Sequence, residues 1–319
     1  MRLRRQTQAQ SPTLTGVDIG SQSIKVCAWR QDASGTRALM RLVQHPLPPD
    51  SIVDGQFMDT GAIVEGLNRL FHKQSQRDVA LRLSANGVII KQLTMPRLEA
   101  EELAAQMRWE AEQHIPFDLS AVQTDYQVLQ PDLGDGKMSV LLVAAKKEEL
   151  NELIQLASDA KLRPKVIDLD VFAVQNIYQQ AHPAAEAQTV VLLHVGAASA
   201  TLNVLRAGQT AFTRDIANGG ESITAQLQRH LTVSREEAEA IKCAGDKLTE
   251  LPKEVKVTLD KAADTLAGEI LRSLDFYLAT SGDAQVSKLV LSGGTAHLPS
   301  FRHALHQRTQ LPVEVLDLQ

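Results

Sequence analysis

The sequence predicts an α/β protein made of two related halves, each built around a β-sheet, with a cleft between them. The main observation is a strand–turn–strand pattern that occurs twice, as DIGSQSIKV at 18–26 and as HVGAASATLNV at 194–204. Around both copies, segments of alternating polar and apolar residues are interleaved with segments of helical periodicity, and glycine-rich turns separate them. A chain of 319 residues is also long enough to bury two sizeable cores.

The first half is predicted to open with two strands around a Gly-Ser turn over 14–31. A helix in TGAIVEGLNRLFHKQ and strands in DVALRLSA and GVIIKQLTM follow, and then an amphipathic helix that Pro116 ends. A hairpin is predicted next, because Gly134 and Gly136 suit positive backbone φ angles. The half closes with a helix in KKEELNELIQLASDAK and with a strand that runs into a helix in PKVIDLDVFAVQNIYQQA.

The second half also opens with strand–turn–strand. The segment GGESITAQLQRHL then begins a helix on two glycines, and Ser234 and Glu237 have the spacing of a capping box for the next helix. The longest helix is predicted to end at Gly282. The segment KLVLSGGTAHLPSFRHALHQR predicts a buried strand, a Gly-Gly turn and a short helix.

Composition and charge disfavour several classes of protein. With 44% hydrophobic and 22% charged residues, the chain has the composition of a folded globular protein. A net charge of −5 provides no general basic surface, which disfavours a nucleic-acid partner. The cysteines, Cys27 and Cys243, form no CxxC pair, which excludes a zinc knuckle and suits a reducing cytoplasm. Because residues 1–13 lack the apolar run of a secretory signal, we expect them to form a flexible arm on a cytoplasmic protein.

The repeated turns suit a phosphate ligand, because Gly-Ser turns between strands present backbone N–H groups to phosphate oxygens. At the end of the first predicted strand, Asp18 can hold Mg²⁺ through water, and Lys25 reaches a phosphate if its side chain points into the cleft. The NGG turn at 218–220 begins a helix whose N–H groups favour anions, and the SGGTA turn at 292–296 lets a planar ligand lie against backbone. The alternative is that the two repeats are ordinary hairpins with tight turns.

The segments GVDIGSQSIKV, VIDLDVFAVQ, LLHVGAASATLNV, NGGESIT, EEAEAIK and LVLSGGTAHLP, in this order, resemble the superfamily of actin, FtsA and Hsp70. Within it, EAEQHIPFDLSAVQTDYQVL resembles the PilM family of actin-like proteins of type IV pilus assembly. The resemblance implies an actin-like ATPase fold, with two duplicated ribonuclease H-like halves, a nucleotide cleft and an FtsA-like inserted small domain. It implies a first-half core domain at 14–83 and 165–187, an inserted domain at 84–164, and a second half at 188–319 with its own insertion at about 222–282.

The resemblance also implies two phosphate loops, at 18–25 and 194–201, and an adenosine motif at 292–296. Glu239 and Lys242 are implied to face the ribose and adenine; from their i, i+3 spacing alone they could equally be a surface ion pair worth about 0.3 kcal/mol. The residues implied to bind ATP or ADP are Asp18, Gly20, Ser21, Gln22, Ser23, Lys25, Gly196, Ala197, Ser199, Gly219, Gly220, Glu239, Lys242, Gly293, Gly294 and Thr295, with Asp18 also expected to hold magnesium through water.

His194 stands where the superfamily usually has an aspartate that organises magnesium and the attacking water. A neutral imidazole is a poor magnesium ligand, because this hard cation prefers oxygen. We weigh three outcomes: hydrolysis is weakened while nucleotide binding is retained, other residues restore full activity, or no nucleotide binds. His194 could also be no more than a buried, hydrogen-bonded side chain at the end of a strand. At most a weak ATPase activity is therefore expected.

Two carboxylates are weak catalytic candidates. Asp168 and Asp170 lie at i and i+2 on a predicted strand and could orient a water molecule, or could instead cap the helix in VFAVQNIY. Asp170 matches a position where the resembled families usually carry glutamate before proline, whereas Val171 follows here. We favour the capping role.

The resemblance implies a cytoplasmic ATP-binding protein of type IV pilus assembly, recruited to the inner membrane by partners. Its expected partner is the N-terminal cytoplasmic tail of a PilN-like inner-membrane protein, with other pilus platform proteins or pilus motor ATPases as further candidates. Trp109 and Phe117 are candidate anchors for a partner, because aromatic side chains often anchor interfaces.

The alternative functions are those of a small-molecule kinase or other ATP-hydrolysing enzyme of the superfamily, and of a nucleotide-free scaffold. Members of the family usually continue with a further helical segment beyond VEVLDLQ, so either the chain is truncated or its domain closes differently.

Overall fold

Two five-stranded sheets with a matching strand order form the framework of the protein in a computed structural model of the chain. The structure describes residues 14–31, 37–85, 87–182, 188–244, 251–281 and 285–317. The arm predicted at 1–13 and the helix end predicted at Gly282 therefore lie outside the described residues.

The predicted elements occur in the predicted order, and the structure adds strands that the sequence analysis did not predict, at Arg37–Pro46, Ile52–Val53, Gln56–Phe57, Gln209–Ile216 and Val313–Val315. The first are β1 (Thr15–Ile19), β2 (Ser23–Gln31), β3 (Arg37–Pro46), β4 (Ile52–Val53), β5 (Gln56–Phe57), α1 (Thr60–Phe71) and β6 (Asp78–Leu83). Next come β7 (Ile89–Pro96), α2 (Ala100–His114), β8 (Val122–Gly134), β9 (Lys137–Lys146), α3 (Lys147–Asp159), β10 (Arg163–Leu169) and α4 (Asp170–Ala181). The last are β11 (Thr189–Val195), β12 (Ala200–Arg206), β13 (Gln209–Ile216), α5 (Gly220–Leu231), α6 (Arg235–Lys242), α7 (Lys253–Thr280), β14 (Val286–Ser292), α8 (Pro299–Thr309) and β15 (Val313–Val315).

Both sheets place the first strand of their half at the same topological position. The strand orders are β10-β6-β1-β2-β3 and β13-β12-β11-β14-β15. In each, the first strand pairs antiparallel with the next strand of the chain and parallel with a later one, β6 for β1 and β14 for β11. Ligands of open α/β sheets bind at the carboxyl ends of strands at such switch points. The two repeated turns begin at these ends of β1 and β11.

The chain divides into two compact units. The first contains the described residues up to Leu83 together with Asn151–Asp168. Its core lies on one face of the sheet, where Val17 and Ile19 of β1 are buried, whereas Gly16 and Asp18 face the opposite side. The polar end of β1 is therefore kept off the core. The buried side chains of this core come from β1, β2, α1, β6 and α3, and include Ile24, Val26, Ile63, Leu67, Phe71, Val79, Leu81, Leu153 and Leu156.

The second unit contains Ser84–Leu150 and the described residues from Leu169 onward. Its largest core joins β11, β12 and β14 to α5, α7 and α8, and every residue of β11 and β12 is buried except His194, Thr189 and Arg206. A separate core lies between α2 and the antiparallel sheet β7-β9-β8. The β8–β9 turn has positive φ at Gly134 and Gly136, as predicted.

The insertion expected at 84–164 and the other domain boundaries stay predictions. Residues of this segment occur in both units, since Leu153 and Leu156 of α3 lie in the core of the first.

The predicted capping box is confirmed: Ser234 Oγ accepts from the backbone N–H of Glu237, whose carboxylate accepts from the backbone N–H of Ser234. Within the described ranges, no helix combines the length and the apolar character needed to cross a bilayer.

Candidate functional site

The loop between β1 and β2 is held by backbone hydrogen bonds. The N–H of Gly20 donates to the carbonyl of Ser23 over 3.1 Å, which closes the turn around Ser21 and Gln22. The carbonyl of Gln22 accepts from the N–H of Leu47 over 2.9 Å. The predicted first phosphate loop is therefore anchored at its closing end.

Asp18 lies at the carboxyl end of β1 between two cations of the first unit. Its Oδ2 is 3.4 Å from Lys25 Nζ, and its Oδ1 is 3.3 Å from Arg82 Nη1. Arg82 reaches it because the parallel pairing of β1 with β6 runs through Val17 and Leu81, one residue earlier on each strand. The sequence analysis missed Arg82. Its position could have been noticed, because Arg82 is a charged residue in the otherwise mainly apolar strand DVALRL.

The loop between β11 and β12 closes in the same way as the first. The N–H of Gly196 donates to the carbonyl of Ser199 over 2.9 Å, as Gly20 does to Ser23. The repeat recognised in the sequence is thus a repeat of backbone hydrogen bonding.

Two further glycine turns, both distant in the sequence, contact this second loop. The carbonyl oxygen of Gly196 accepts from the N–H of Gly220 at 2.9 Å and lies 3.3 Å from the hydroxyl of Thr295. The carbonyl of Ala197 accepts from the N–H of Glu221 at 2.8 Å. The second phosphate loop, the NGG turn and the SGGTA turn therefore form one cluster in the second unit.

Two of these positions require glycine. A Cβ on Gly219 would come within 3.0 Å of the carbonyl oxygen of Ala197. Gly293 has φ 86° and ψ 170°, a conformation almost confined to glycine, and a Cβ there would overlap the carbonyl of Val195. Gly294, by contrast, has nothing within 4 Å of its Cβ position. Close backbone approach explains the glycines at 219 and 293.

Glu239 and Lys242 form the ion pair expected from their spacing, but the lysine is not on the surface. Lys242 Nζ lies 2.6 Å from Glu239 Oε2, 2.8 Å from Thr224 Oγ1 and 3.1 Å from the carbonyl oxygen of Gly220. Its side chain is only 10% exposed. The pair therefore ties α6 to the first turn of α5, which rules out an isolated surface ion pair. The buried hydroxyl of Thr224, which donates to Glu239 over 2.7 Å, was missed by the sequence analysis.

The pKa of Glu239 is lowered from its ordinary value. Partial burial opposes ionisation of this carboxyl, but hydrogen bonds from Lys242 and Thr224, together with the lysine charge, outweigh it. The ion pair is therefore maintained at neutral pH.

His194 occupies in the second sheet the place that Asp18 has in the first. It pairs in parallel register with Ser292 of β14, and its Nδ1 lies 3.0 Å from the Ser292 hydroxyl. A carboxylate beside a guanidinium in one half thus corresponds to an imidazole beside a hydroxyl in the other. His194 is half-buried and hydrogen-bonded, which agrees with one of the roles weighed for it.

The two carboxylates considered for catalysis have different surroundings. Asp168 is half-buried near the end of β10, whereas Asp170 is buried at the first residue of α4. The Oδ1 atom of Asp170 accepts from the N–H of Val171 at 2.7 Å and from that of Ala85 at 3.3 Å. These bonds hold the start of the helix, although Leu169 is its N-cap residue. A catalytic role for either carboxylate stays a prediction.

A direct magnesium ligand does not fit this arrangement. Both oxygens of Asp18 already face cationic nitrogens, and His194 offers a nitrogen where magnesium prefers oxygen. Among the residues that the structure describes, no group of three or more His, Cys, Asp or Glu side chains could hold a metal ion.

The sequence and the fold both match known proteins. A family model described as type IV pilus assembly protein PilM matches residues 16–319. A chain of the solved PilM–PilN type IV pilus biogenesis complex has a TM-score of 0.82 and 23% identity, over 97% of this chain and 89% of that one.

More distant solved structures share the fold. The ethanolamine utilization protein EutJ of Carboxydothermus hydrogenoformans has a TM-score of 0.58 and 15% identity, over 98% of this chain and 88% of that one. MreB5 of Spiroplasma citri bound to AMPPNP has a TM-score of 0.56 and 12% identity, over 96% and 92%. The predicted actin-like fold is thereby confirmed.

Replacing Gly293 by alanine should destabilise the second unit. The strained backbone angles alone cost about 1–3 kcal/mol, and the overlap with Val195 adds to this. Urea unfolding followed by circular dichroism measures the loss. Gly294→Ala is the matched control and should change stability by less than about 0.5 kcal/mol. Equal losses in the two variants would contradict the close approach at Gly293.

Replacing Glu239 by glutamine should lower the melting temperature in a pH-dependent way. Because folding lowers the pKa of Glu239 below its ordinary value of 4.5, the ionised carboxyl stabilises the fold above that pH. The contribution is lost as the pH falls through the lowered value. The difference between wild type and E239Q should therefore be largest at neutral pH and shrink in acid. Glu236→Gln, at an exposed position of the same helix, is the control; a constant difference for E239Q would refute the ion-pair origin.

Proposed function

Since the chain belongs to the family of the type IV pilus assembly protein PilM, we propose that it is an ATP-binding pilus assembly protein. In this proposal it works at the cytoplasmic face of the inner membrane, where it binds the N-terminal tail of a PilN-like protein. Nucleotide binding changes its conformation and thereby its affinity for the tail. Other pilus platform proteins and pilus motor ATPases are further candidate partners.

The main support for the proposed nucleotide binding is that three glycine turns meet at the carbonyl of Gly196. The N–H of Gly220 and the hydroxyl of Thr295 meet the same carbonyl, so hydrogen bonds within the chain bring the three loops together. Glycine turns of this kind suit phosphate oxygens and the flat face of a base. The Glu239–Lys242 pair, tied to the same α5 terminus, is proposed to face the ribose and adenine. The AMPPNP held by MreB5, a protein of similar fold, supports the same ligand class.

In the first unit, the turn at 20–23 and the side chain of Lys25 are proposed to contact phosphate. Lys25 is half exposed, so its ammonium can leave Asp18 for a phosphate oxygen without exposing a buried charge. Mg²⁺, if it accompanies the nucleotide, is proposed to contact Asp18 only through water.

We propose that hydrolysis is slow. The residue at the end of β11 is an imidazole directed at Ser292, whereas activation of water beside a phosphate requires a general base or an organised metal. The nucleotide then acts as a ligand that favours one conformation over another, which requires only a difference in affinity between the two.

Exposed aromatic side chains on α2, which packs on the β7-β9-β8 sheet, and just after it offer an apolar surface for the proposed partner tail. Trp109 on α2 is 54% exposed and Phe117 is 43% exposed. Large aromatic side chains with this exposure are the usual anchors of protein interfaces. We propose that they contact the PilN-like tail.

Titration with ATP tests nucleotide binding and hydrolysis together. Calorimetry should detect ATP binding, and Lys25→Gln should weaken it about tenfold or more, as expected for a lost charge-assisted hydrogen bond. Lys73→Gln, an exposed lysine of the same unit, is the control. His194→Asp should raise phosphate release at least about tenfold, whereas the uncharged His194→Asn should not. Absence of ATP binding at millimolar concentration would favour a nucleotide-free scaffold.

Titration with a peptide of the PilN-like tail tests the partner. Trp109→Ala should weaken peptide binding about tenfold or more, while Phe276→Ala, which removes an aromatic ring that is 53% exposed on α7, should not. ATP should change the peptide affinity, and the peptide should change the ATP affinity by the same factor. Equal effects of the two alanine variants would refute the proposed contact surface.

A further inference from the structure

We propose that the candidate site recognises the ribose of a nucleotide through a single oxygen atom, Glu239 Oε1, and that Thr224 and Lys242 are positioning residues that aim this atom without contacting the ligand. The proposal rests on the nucleotide binding proposed above and narrows the contact of the Glu239–Lys242 pair to the glutamate. It implies a ribonucleotide as the ligand class. The three residues belong to α5 and α6 of the second unit.

The ammonium of Lys242 is occupied by acceptors of the protein. A lysine ammonium carries three N–H donors. Three oxygens surround its nitrogen: Glu239 Oε2 at 2.6 Å, Thr224 Oγ1 at 2.8 Å and the carbonyl oxygen of Gly220 at 3.1 Å. A ribose or a base would have to displace one of these largely buried contacts, which is costly. Lys242 therefore acts within the protein.

The hydroxyl of Thr224 joins the lysine to the glutamate. It accepts from Lys242 Nζ and donates to Glu239 Oε2 over 2.7 Å, a shorter contact than the 3.4 Å to the carbonyl oxygen of Gly220. A hydroxyl has one donor, and here the donor is directed at the carboxylate. Thr224 is completely buried. It therefore cannot touch a ligand and can influence one only through Glu239.

The two carboxylate oxygens of Glu239 have different surroundings. Oε2 lies against both Lys242 and Thr224, whereas Oε1 lies 3.4 Å from Cys243 Sγ, and a thiol is a weak donor. The side chain of Glu239 is 34% exposed. Oε1 is therefore the atom of the ion pair that can accept from a ligand, and ribose hydroxyls donate to carboxylates in this way.

The network is attached to the glycine turns of the candidate site. Gly220, whose carbonyl oxygen accepts from Lys242, is also the residue whose N–H donates to the carbonyl of Gly196. Hydrogen bonds thus run from the second phosphate loop through the start of α5 to Glu239 on α6. The position of Oε1 relative to that loop therefore depends on Thr224 and Lys242.

The decisive measurement compares ATP with dideoxy-ATP, which lacks both ribose hydroxyls, by calorimetry on the full chain. The wild type should bind ATP about tenfold or more tightly, because the analogue leaves the carboxylate of Glu239 without a hydrogen bond. Glu239→Ala should reduce the ratio of the two dissociation constants to about one. A wild type that binds both nucleotides equally would overturn this proposal but not nucleotide binding. Absence of ATP binding at millimolar concentration would overturn both.

Thr224→Val tests positioning, because it keeps the shape of the side chain and removes the hydroxyl. ATP should bind about tenfold more weakly while dideoxy-ATP is unaffected, and Thr224→Ser, which keeps the hydroxyl, should restore the ratio. A merely structural role would weaken both nucleotides equally, and that result would overturn the proposal. Thr210→Val, which should leave the ratio unchanged, is the matched control, since Thr210 is a buried threonine of the same unit that donates to Gln175 over 2.6 Å.

A double-mutant cycle separates positioning from direct contact. Lys242→Met alone should lower the ratio as Thr224→Val does. If both residues act only through Glu239, neither change should alter the ratio further in a Glu239→Ala background. A further loss caused by Lys242→Met in that background would show that the lysine itself contacts the ribose, and would overturn the proposal. If Thr224→Val does not fold, the Lys242 comparison decides alone.

Discussion

The carbonyl oxygen of Gly196 is the acceptor on which the candidate site of the second unit depends. It accepts from the backbone of Gly220 and lies in hydrogen-bond distance of the Thr295 hydroxyl, and so joins turns that are up to 99 residues apart in the chain. Such close backbone contact leaves no room for a Cβ at Gly219 or Gly293. The buried strands around the loop, β11 and β12, hold the acceptor in place. Backbone atoms and one short side chain, that of Thr295, make these contacts, so the cluster does not depend on the conformation of long side chains.

The two halves share the same arrangement of strands and turns but have different side chains at the ends of their first strands. The first strand of each sheet ends at a topological switch, and each is followed by a turn closed by the same backbone hydrogen bond, Gly20 to Ser23 and Gly196 to Ser199. At the neighbouring pair of positions, the first half has a carboxylate and a guanidinium, whereas the second has His194 and Ser292. At these positions the first unit therefore has charged side chains, whereas the second has an imidazole and a hydroxyl. In the proposed function, this difference is the reason that nucleotide is bound but hydrolysed slowly.

Membership in the PilM family gives this arrangement a biological setting. An assembly protein needs a surface whose affinity for a partner can be changed, and rapid turnover is not required for that. A ligand changes such an affinity only to the extent that it binds the two conformations differently. The buried tether of Lys242 to the start of α5 links the proposed ribose contact to the framework of the second unit. In the proposed function, nucleotide binding changes the affinity of the surface at Trp109 and Phe117 for the partner.

The sequence by itself determined the features that depend on neighbouring residues. Alternating strands, helical periodicity, the Gly134–Gly136 turn and the Ser234–Glu237 capping box are all local, and the structure confirms them. The repeated glycine turns indicated a phosphate ligand, and similarity to a family assigned each loop its part of the nucleotide. Only the tertiary structure decided that Arg82 lies at Asp18, that Lys242 is buried against Thr224, and that Asp170 accepts from Ala85. These contacts join residues 64, 18 and 85 positions apart, and their geometry follows from strand register and helix packing. The spacing of residues in the sequence does not reveal which strands and helices become neighbours, because strand register and helix packing depend on how distant apolar faces are buried.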